Sequence, residues 1–267
     1  MENIIIKQYK PKKLSNYIER ISFGYAKTND VNHFQIPLPF NPWVIPLNDH
    51  GFYYNDDFFD KPIVQNISLV PATYKMPQGS QMLLVRFYPG SFYPFWDFSL
   101  KKYQPILDFI PNQEDCEDPE RLEICLSQIY DYLDTKFSQS RADKVNIIKD
   151  LYQYIINNPE STIESFCDER EIKYMSLYRL FGNKLNMTPM KFVRLCKFRV
   201  ANYHLFHSSK SLTGIGSNSG YYDQPHFVKE FKHFVGVTPK EYIQIIKQNE
   251  IYSSSAFKDF SLLYLDI

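Results

Sequence analysis

The sequence predicts a multidomain α+β protein: a β-rich N-terminal part, a helical segment, and an all-α C-terminal part with two helix-turn-helix units joined by a long helix. Three observations carry this. Short aromatic and β-branched runs bounded by Pro, Asn, Asp or Gly fill the chain from residue 3 to about 110. Helical periodicity takes over after Pro119. The C-terminal part then repeats itself at an interval of 49–50 residues.

In chain order, ISFGYA, WVIPLN, GFYYN, NISLV and MLLVRFY are strand-length runs at a spacing that suits a sandwich or small barrel. Most of the seventeen prolines fall in this region, which fits loop-rich β structure. After Pro119, Leu122, Leu126, Ile129, Leu133 and Phe137 form a helical stripe, with Pro119 suited to the first turn and acidic neighbours to the N-terminal dipole. FSQSRADK reads as a linker. The rest is helical to about residue 248, with breaks at NNPES, NMTP, HSSKS, SGYYD and GVTP. The expected divisions are a β-rich domain over 1–118, a helical dimerisation or packing segment over 119–137, a linker over 138–145, a helical domain over 146–248 and an unassigned tail over 249–267.

The repeat aligns Leu177, Phe181, Thr188 and Pro189 with Phe227, Phe231, Thr238 and Pro239, and Asn186 with Gly236. Upstream the offset is one residue shorter, pairing Ile163 with Leu212, Phe166 with Ile215, Cys167 with Gly216 and Ile172 with Tyr221. At 100° per residue, Phe227, Phe231 and Phe234 share one face of the second short helix, and Pro225, Lys229 and Lys232 lie opposite. In the first, Leu177, Phe181 and Lys184 share a side, with Met175, Arg179 and Gly182 opposite and Tyr178 flanking. A helix with an apolar anchor behind and long side chains in front is what a major groove accepts. The connector PMKFVRLCKFRVANYHLF, roughly 28 Å long as a helix, suits two such helices set one DNA turn of about 34 Å apart.

Charge agrees with this division. Thirty Lys and Arg balance thirty Asp and Glu, but residues 1–145 hold fifteen basic and eighteen acidic residues, a net of −3. Residues 146–249 hold fourteen and nine, a net of +5, so the helical part suits nucleic acid. The four cysteines form no CxxC pair, which excludes a zinc ribbon, and His204, His207 and Cys196 lack a fourth ligand; no metal is expected. No Ser-His-Asp order, framed carboxylate pair or phosphate loop is present, so no catalytic residue, cofactor or enzyme activity is expected. The N-terminus is neither a signal peptide nor a span, and the chain reads as a reduced, cytoplasmic protein with no membrane partner.

Gly220-Tyr221, Asp223, Phe227, Phe231-Lys232 and Gly236-Val237-Thr238-Pro239 together resemble the C-terminal pattern of the AraC family of bacterial transcription regulators. The resemblance covers residues 146–247 and implies a double helix-turn-helix DNA-binding domain. It places base-facing positions at Met175, Tyr178 and Arg179 in the first unit and at Gln224, Pro225, Val228 and Lys229 in the second. Arg194, Lys210 and Lys232 are candidate phosphate contacts. Pro225 and Val228 offer no donor to a base, so the first unit is expected to read sequence and the second to grip the backbone. Glu171 stands where the family has glycine in the first turn, and that turn must avoid positive φ or bear strain.

VRFYPGSFYPF resembles a motif of one subgroup of this family, and by that resemblance the β-rich part is a cupin-like sensor with the 119–137 helix serving dimerisation. The implied partners are double-stranded DNA, a small-molecule effector, a second copy of the chain and, for an activator, RNA polymerase. Trp43, Arg86 and Phe87 are candidate effector-pocket residues, although the aromatics suit a packed core equally well. Arg86, the charge within an apolar strand, pairs either with an anionic ligand or with an internal acid. The alternative function is a small-molecule-binding protein or enzyme of the β-rich part, with the helical part as an accessory module.

Overall fold

In the computed structural model, which describes residues 4–98, 100–109 and 118–248, the chain splits into two compact units whose main boundary falls between Asn146 and Ile147. The first carries β1 (Ile4–Tyr9), β2 (Ile18–Ala26), β3 (Val31–Gln35), β4 (Asn41–Pro46), β5 (Phe52–Tyr54), β6 (Asp57–Phe59), β7 (Ile63–Gln65), β8 (Ala72–Met76), β9 (Gln81–Phe87), β10 (Tyr103–Pro105) and α1 (Pro119–Lys136). The strands form a six-stranded sheet of order β1-β2-β9-β4-β7-β10 and a four-stranded sheet of order β3-β8-β5-β6. Each of these strand pairings is antiparallel.

Alternation along β4 and β9 divides the side chains between two cores. Val44 and Met82 face the space between the sheets and join Ala26, Val31, Phe52, Tyr54, Ile63, Ala72 and Met76 there. Trp43 and Phe87 point the other way. Trp43 meets Trp96 and Phe109 at 5.2 Å each and Tyr132 of α1 at 5.8 Å. Phe87 meets Phe95 at 5.6 Å. The first unit is therefore layered as sheet, sheet and helix.

α1 starts at the cap Asp118, whose carboxylate accepts from the Glu120 and Arg121 amides, with Pro119 in the first turn. Leu122, Cys125, Leu126, Ile129, Tyr130 and Leu133 are buried. The stripe expected to serve dimerisation is thus occupied within its own unit, because the second face of the large sheet needs a cover. Ile124 on the opposite face is 48% exposed.

One sequence expectation is corrected. NISLV is not a strand: the ladder sits just before it, at Ile63–Gln65. Asn66 instead ties the chain down, donating from its side chain to the Leu100 carbonyl at 2.9 Å and from its backbone to the Lys102 carbonyl at 2.8 Å. A Ser68 Oγ to Val70 carbonyl bond of 2.7 Å then turns the chain ahead of Pro71. The segment 138–145, read as a linker, is helical in all but Ser138, lying in α2 (Gln139–Asn157). The Ala142 amide donates to the Ser138 carbonyl at 3.0 Å, and Gln139 bonds Asp143 one turn on at 2.7 Å. Ala142 and Val145 already begin the buried stripe continued by Ile148 and Leu151, and polar neighbours hide that start in the sequence. The 249–267 tail and Cys116 lie outside the described residues.

The second unit holds α3 (Ile163–Glu169), α4 (Tyr174–Leu185), α5 (Pro189–His207), α6 (Leu212–Asn218), α7 (Gln224–Val235) and α8 (Pro239–Gln248). The sequence repeat is a structural one. Thr162 and Ser211 cap α3 and α6, accepting from Ser165 and Gly214. Thr188 and Thr238 stand before Pro189 and Pro239 and accept from Lys191 and Glu241 at 3.3 Å each. The inner turns match bond for bond: Ile172 to Cys167 at 2.9 Å, and Tyr221 to Gly216 at 3.0 Å. α5 is buried on nearly every side through Phe192, Val193, Leu195, Cys196, Phe198, Val200 and Ala201, as a helix at the centre of a bundle must be.

Candidate nucleic-acid interface

Each short outer helix is anchored by its apolar side. On α4, Leu177, Phe181 and Leu185 are fully buried, and Phe181 meets Phe192 of α5 at 5.2 Å. On α7, Phe227, Phe231 and Phe234 are buried, with Phe231 and Phe234 lying 5.4 and 4.8 Å from Phe198. Each buried phenylalanine contributes about 1.5–3 kcal/mol, enough to fix the rotation of a three-turn helix about its axis. Phe198 of the connector is thus the platform for the second unit, as Phe192 is for the first.

The outer faces follow from that rotation. Met175 is 54% and Tyr178 42% exposed, and Arg179 is exposed beside them. Tyr174, also exposed, packs its ring 6.2 Å from Tyr178 and extends the same surface. On α7, Gln224, Pro225 and Lys229 are exposed and Val228 is half-buried. α7 begins at Asp223, which accepts from the His226 amide at 2.8 Å, so the free amides of its first turn are partly satisfied. α4 has no side-chain cap at Lys173. The two faces differ in chemistry: aromatic and cationic on α4, and Gln224, Pro225 and Val228 with Lys229 and Lys232 on α7.

One contact narrows what Gln224 can do. Its Oε1 accepts from Thr213 Oγ1 of α6 at 2.7 Å. That bond engages the amide oxygen with α6, and the amide NH2 keeps its two donors. Sequence reasoning missed Thr213. A threonine in the first turn of α6 was the available signal.

Arg194 has a partner within the helical unit. Its Nε and Nη2 donate to the two Glu230 carboxylate oxygens at 2.7 and 2.9 Å, a bidentate pair between α5 and α7. Glu230, 9% exposed, sits on the buried side of α7 among the phenylalanines, and its carboxylate holds the arginine pKa up. The pair joins α5 to the second short helix, with the Arg194 side chain 38% exposed. An acid flanked by Phe227, Phe231 and Phe234 was the missed signal. Lys210 and Lys232 are exposed, one just ahead of α6 and the other in the last turn of α7.

The three residues expected in an effector pocket do not line one cavity. Trp43 and Phe87 are fully buried in the α1-side core, and Arg86 projects from the other face of the same sheet. Successive positions on a strand face opposite ways, so 86 and 87 cannot share a pocket. Arg86 meets an internal acid: its Nη1 lies 3.4 Å from Glu19 Oε2. Cys125, Cys167 and Cys196 are buried free thiols, and burial pushes the Cys196 thiol far up. His207 stacks on Tyr203 at 4.4 Å. Among the described residues no three His, Cys, Asp or Glu side chains gather as a metal site, and no helix is long and apolar enough to cross a membrane.

Comparison with known proteins bears on the same residues. Residues 166–245 match the helix-turn-helix domain family. The chain is 20% identical over 202 residues to the HTH-type transcriptional activator RhaR of Salmonella dublin, covering 70% of this chain and 71% of that one. It is 23% identical over 201 residues to the activator RhaS of Yersinia pestis, covering 72% of each. Over 82 residues, 31% of this chain and 23% of the relative, it is 33% identical to the HTH-type transcriptional regulator ArgR of Pseudomonas aeruginosa. Among solved structures, ToxT from Vibrio cholerae aligns with a TM-score of 0.46 at 11% identity over 82% of this chain and 99% of that one. The C-terminal domain of AraT from Geobacillus stearothermophilus aligns at 0.35 and 22% identity over 37% and 84%.

Proposed function

We propose that the chain is a DNA-binding transcription regulator of the AraC type, and that α4 and α7 are its two reading helices, entering successive major grooves on one side of a DNA duplex. The observation that carries this is the repeated unit. Twice over, a capped helix, a left-handed turn and a phenylalanine-anchored helix present an exposed face, with α5 as spacer. Its nineteen residues span roughly 28 Å, close to the pitch of about 34 Å that separates successive grooves.

Within this reading, Arg179 takes a guanine edge, and Met175 and Tyr178 lie against neighbouring bases. On α7, Pro225 and Val228 suit thymine methyl groups, Gln224 donates to a base acceptor, and Lys229 and Lys232 meet phosphate. Lys210 is a further phosphate contact. The N-terminal unit makes promoter occupancy depend on a signal, through a bound effector or a second copy of the chain. A homodimer through 119–137 uses the outer face of α1 around Ile124. As an activator, like the relatives named so, the chain also contacts RNA polymerase. No catalytic role is assigned.

The test is recovery of DNA bound to the full chain across its genome, followed by duplex titration at several salt concentrations. The expected result is a set of sites with two short elements about one helical turn apart, bound with an affinity that falls as salt rises. Absence of enriched sites together with absence of salt-dependent duplex binding overturns the reading.

A further inference from the structure

The two short outer helices start and end in register fifty residues apart: α4 runs Tyr174–Leu185 and α7 runs Gln224–Val235. Under the reading above, Met175, Tyr178 and Arg179 face bases, as do their counterparts Pro225, Val228 and Lys229. Gln224 does so too. Its counterpart is Tyr174, to which that reading gives no part.

Tyr174 is the first residue of α4 and is 41% exposed. Gln224 is tied back to α6 by Thr213. In the first unit Glu164 of α3 holds the place of Thr213, and no bond joins it to Tyr174 among the described residues. The Tyr174 ring leans instead on Tyr178, one turn further on, with centroids 6.2 Å apart and planes at 47°. Among the described residues of the helical unit, the exposed large apolar side chains are Tyr174, Met175, Tyr178, Met190, Tyr222 and Ile245, so half of them stand on the start of this one helix. Such a cluster in water forgoes burial that a partner surface restores. Arg179 beside it makes no ion pair among the described residues, whereas Arg170 and Arg194 are each held through two nitrogens, by Asp150 and Glu230.

We propose that Tyr174 is a fourth base-contacting, specificity-determining residue of α4, and that its ring, together with Met175, takes the C5-methyl group of a thymine next to the base that Arg179 reads. A reading helix meets base edges with its N-terminal residues, and Tyr174 is the first of them. Thymine is the base that shows a methyl group in the major groove, so it is the partner an apolar pair selects. The Tyr178 ring at its side already limits where the Tyr174 ring can turn, which lowers the entropy lost on docking. The first unit then reads through apolar contact on one row, Tyr174 to Tyr178, and through a guanidinium on the next, Met175 to Arg179, each pair being four residues apart. The inference rests on the reading of α4 as a DNA-reading helix and names the base class that its leading end takes.

The experiment uses the full chain. Duplexes are selected from a random pool, and the preferred duplex is then remade with each thymine near the Arg179-dependent position replaced by deoxyuridine, which keeps the base pair and removes only the methyl group. One such replacement is expected to weaken binding about fourfold, the worth of one buried methyl. Tyr174→Ala is expected to lose the thymine preference at that position and to bind the thymine and deoxyuridine duplexes alike. Tyr174→Phe, which keeps the ring, is expected to retain both. The proposal is overturned if every deoxyuridine duplex binds the wild-type chain as well as its thymine parent, or if Tyr174→Ala keeps the preference. It is equally overturned if Tyr174→Phe loses as much as Tyr174→Ala, the mark of a hydroxyl contact to the backbone. Because the deoxyuridine series is run on the wild-type chain, a variant that fails to fold does not prevent a decision. Absence of any enriched sequence and of salt-dependent duplex binding sinks the reading of the chain as a regulator, whereas an enriched sequence with no methyl-dependent position sinks only this inference.

Discussion

Glu171 occupies the turn position matched in the second unit by Gly220, and both are left-handed, at φ 54° and 73°. The turn demands positive φ, and a Cβ on Gly220 would overlap the Pro159 carbonyl, while the first unit leaves room for a side chain at a backbone cost. Glu171→Gly is expected to stabilise the helical unit by about 1 kcal/mol, read as a higher urea midpoint with unchanged m. His33 supplies a pH prediction from burial. Desolvation pulls its pKa down to about 4, against a hydrogen bond to Gln35 that raises it. The unfolded chain therefore takes up a proton from about pH 6.5 downward that the folded chain refuses until near its own lower pKa, and stability falls across that window, by about 2 kcal/mol at pH 5. His33→Gln should flatten this part of the Tm against pH curve. The question at Glu171 was legible in the sequence because the family pattern that the chain resembles has glycine there, and the structure decides it in favour of a left-handed residue. The burial of His33 was not, since nothing local marks one histidine as facing a second sheet.

At the scale of elements, the α5–α7 clamp is the sharpest difference between pattern and packing. If Arg194 holds Glu230, Arg194→Ala destabilises the helical unit by about 1–3 kcal/mol by leaving a nearly buried carboxylate unmet. A double-mutant cycle with Glu230→Ala should return a coupling of about 1–2 kcal/mol, and the salt slope of DNA binding should stay the same. A phosphate contact would do the reverse, lowering the slope by about one with no coupling. The helical wheel put Phe227, Phe231 and Phe234 on the inner face correctly because their spacing is local information. It had no means of showing that Glu230 would meet a residue thirty-six positions earlier. The same distinction explains NISLV and the 138–145 segment. β-branched composition does not say which three residues have a ladder partner, and a polar stretch hides Ala142 and Val145 until the protein interior that buries them is known.

For the whole molecule, the two reading helices are expected to fail differently. Arg179→Ala should cost about 1–3 kcal/mol on the preferred site and relax the preference at one base position. Lys229→Ala should weaken binding evenly across sequences and lower the salt slope by about one. Selection of bound duplexes from a random pool with each variant checks both, and loss of preference with Lys229→Ala but not with Arg179→Ala would reverse the assignment. Much of this organisation could be read from one chain. The β-rich to helical transition, the start of α1 at Pro119, the repeat, and the inward faces of α4 and α7 depend on spacing along the backbone, and spacing is written in the sequence. Which strands pair, that α1 spends its apolar stripe on its own sheet, that Arg86 and Phe87 part company, and that Arg194 clamps a helix were decided only by tertiary structure. Each depends on a partner tens of residues away, brought near by burial of apolar surface that no single segment can achieve alone.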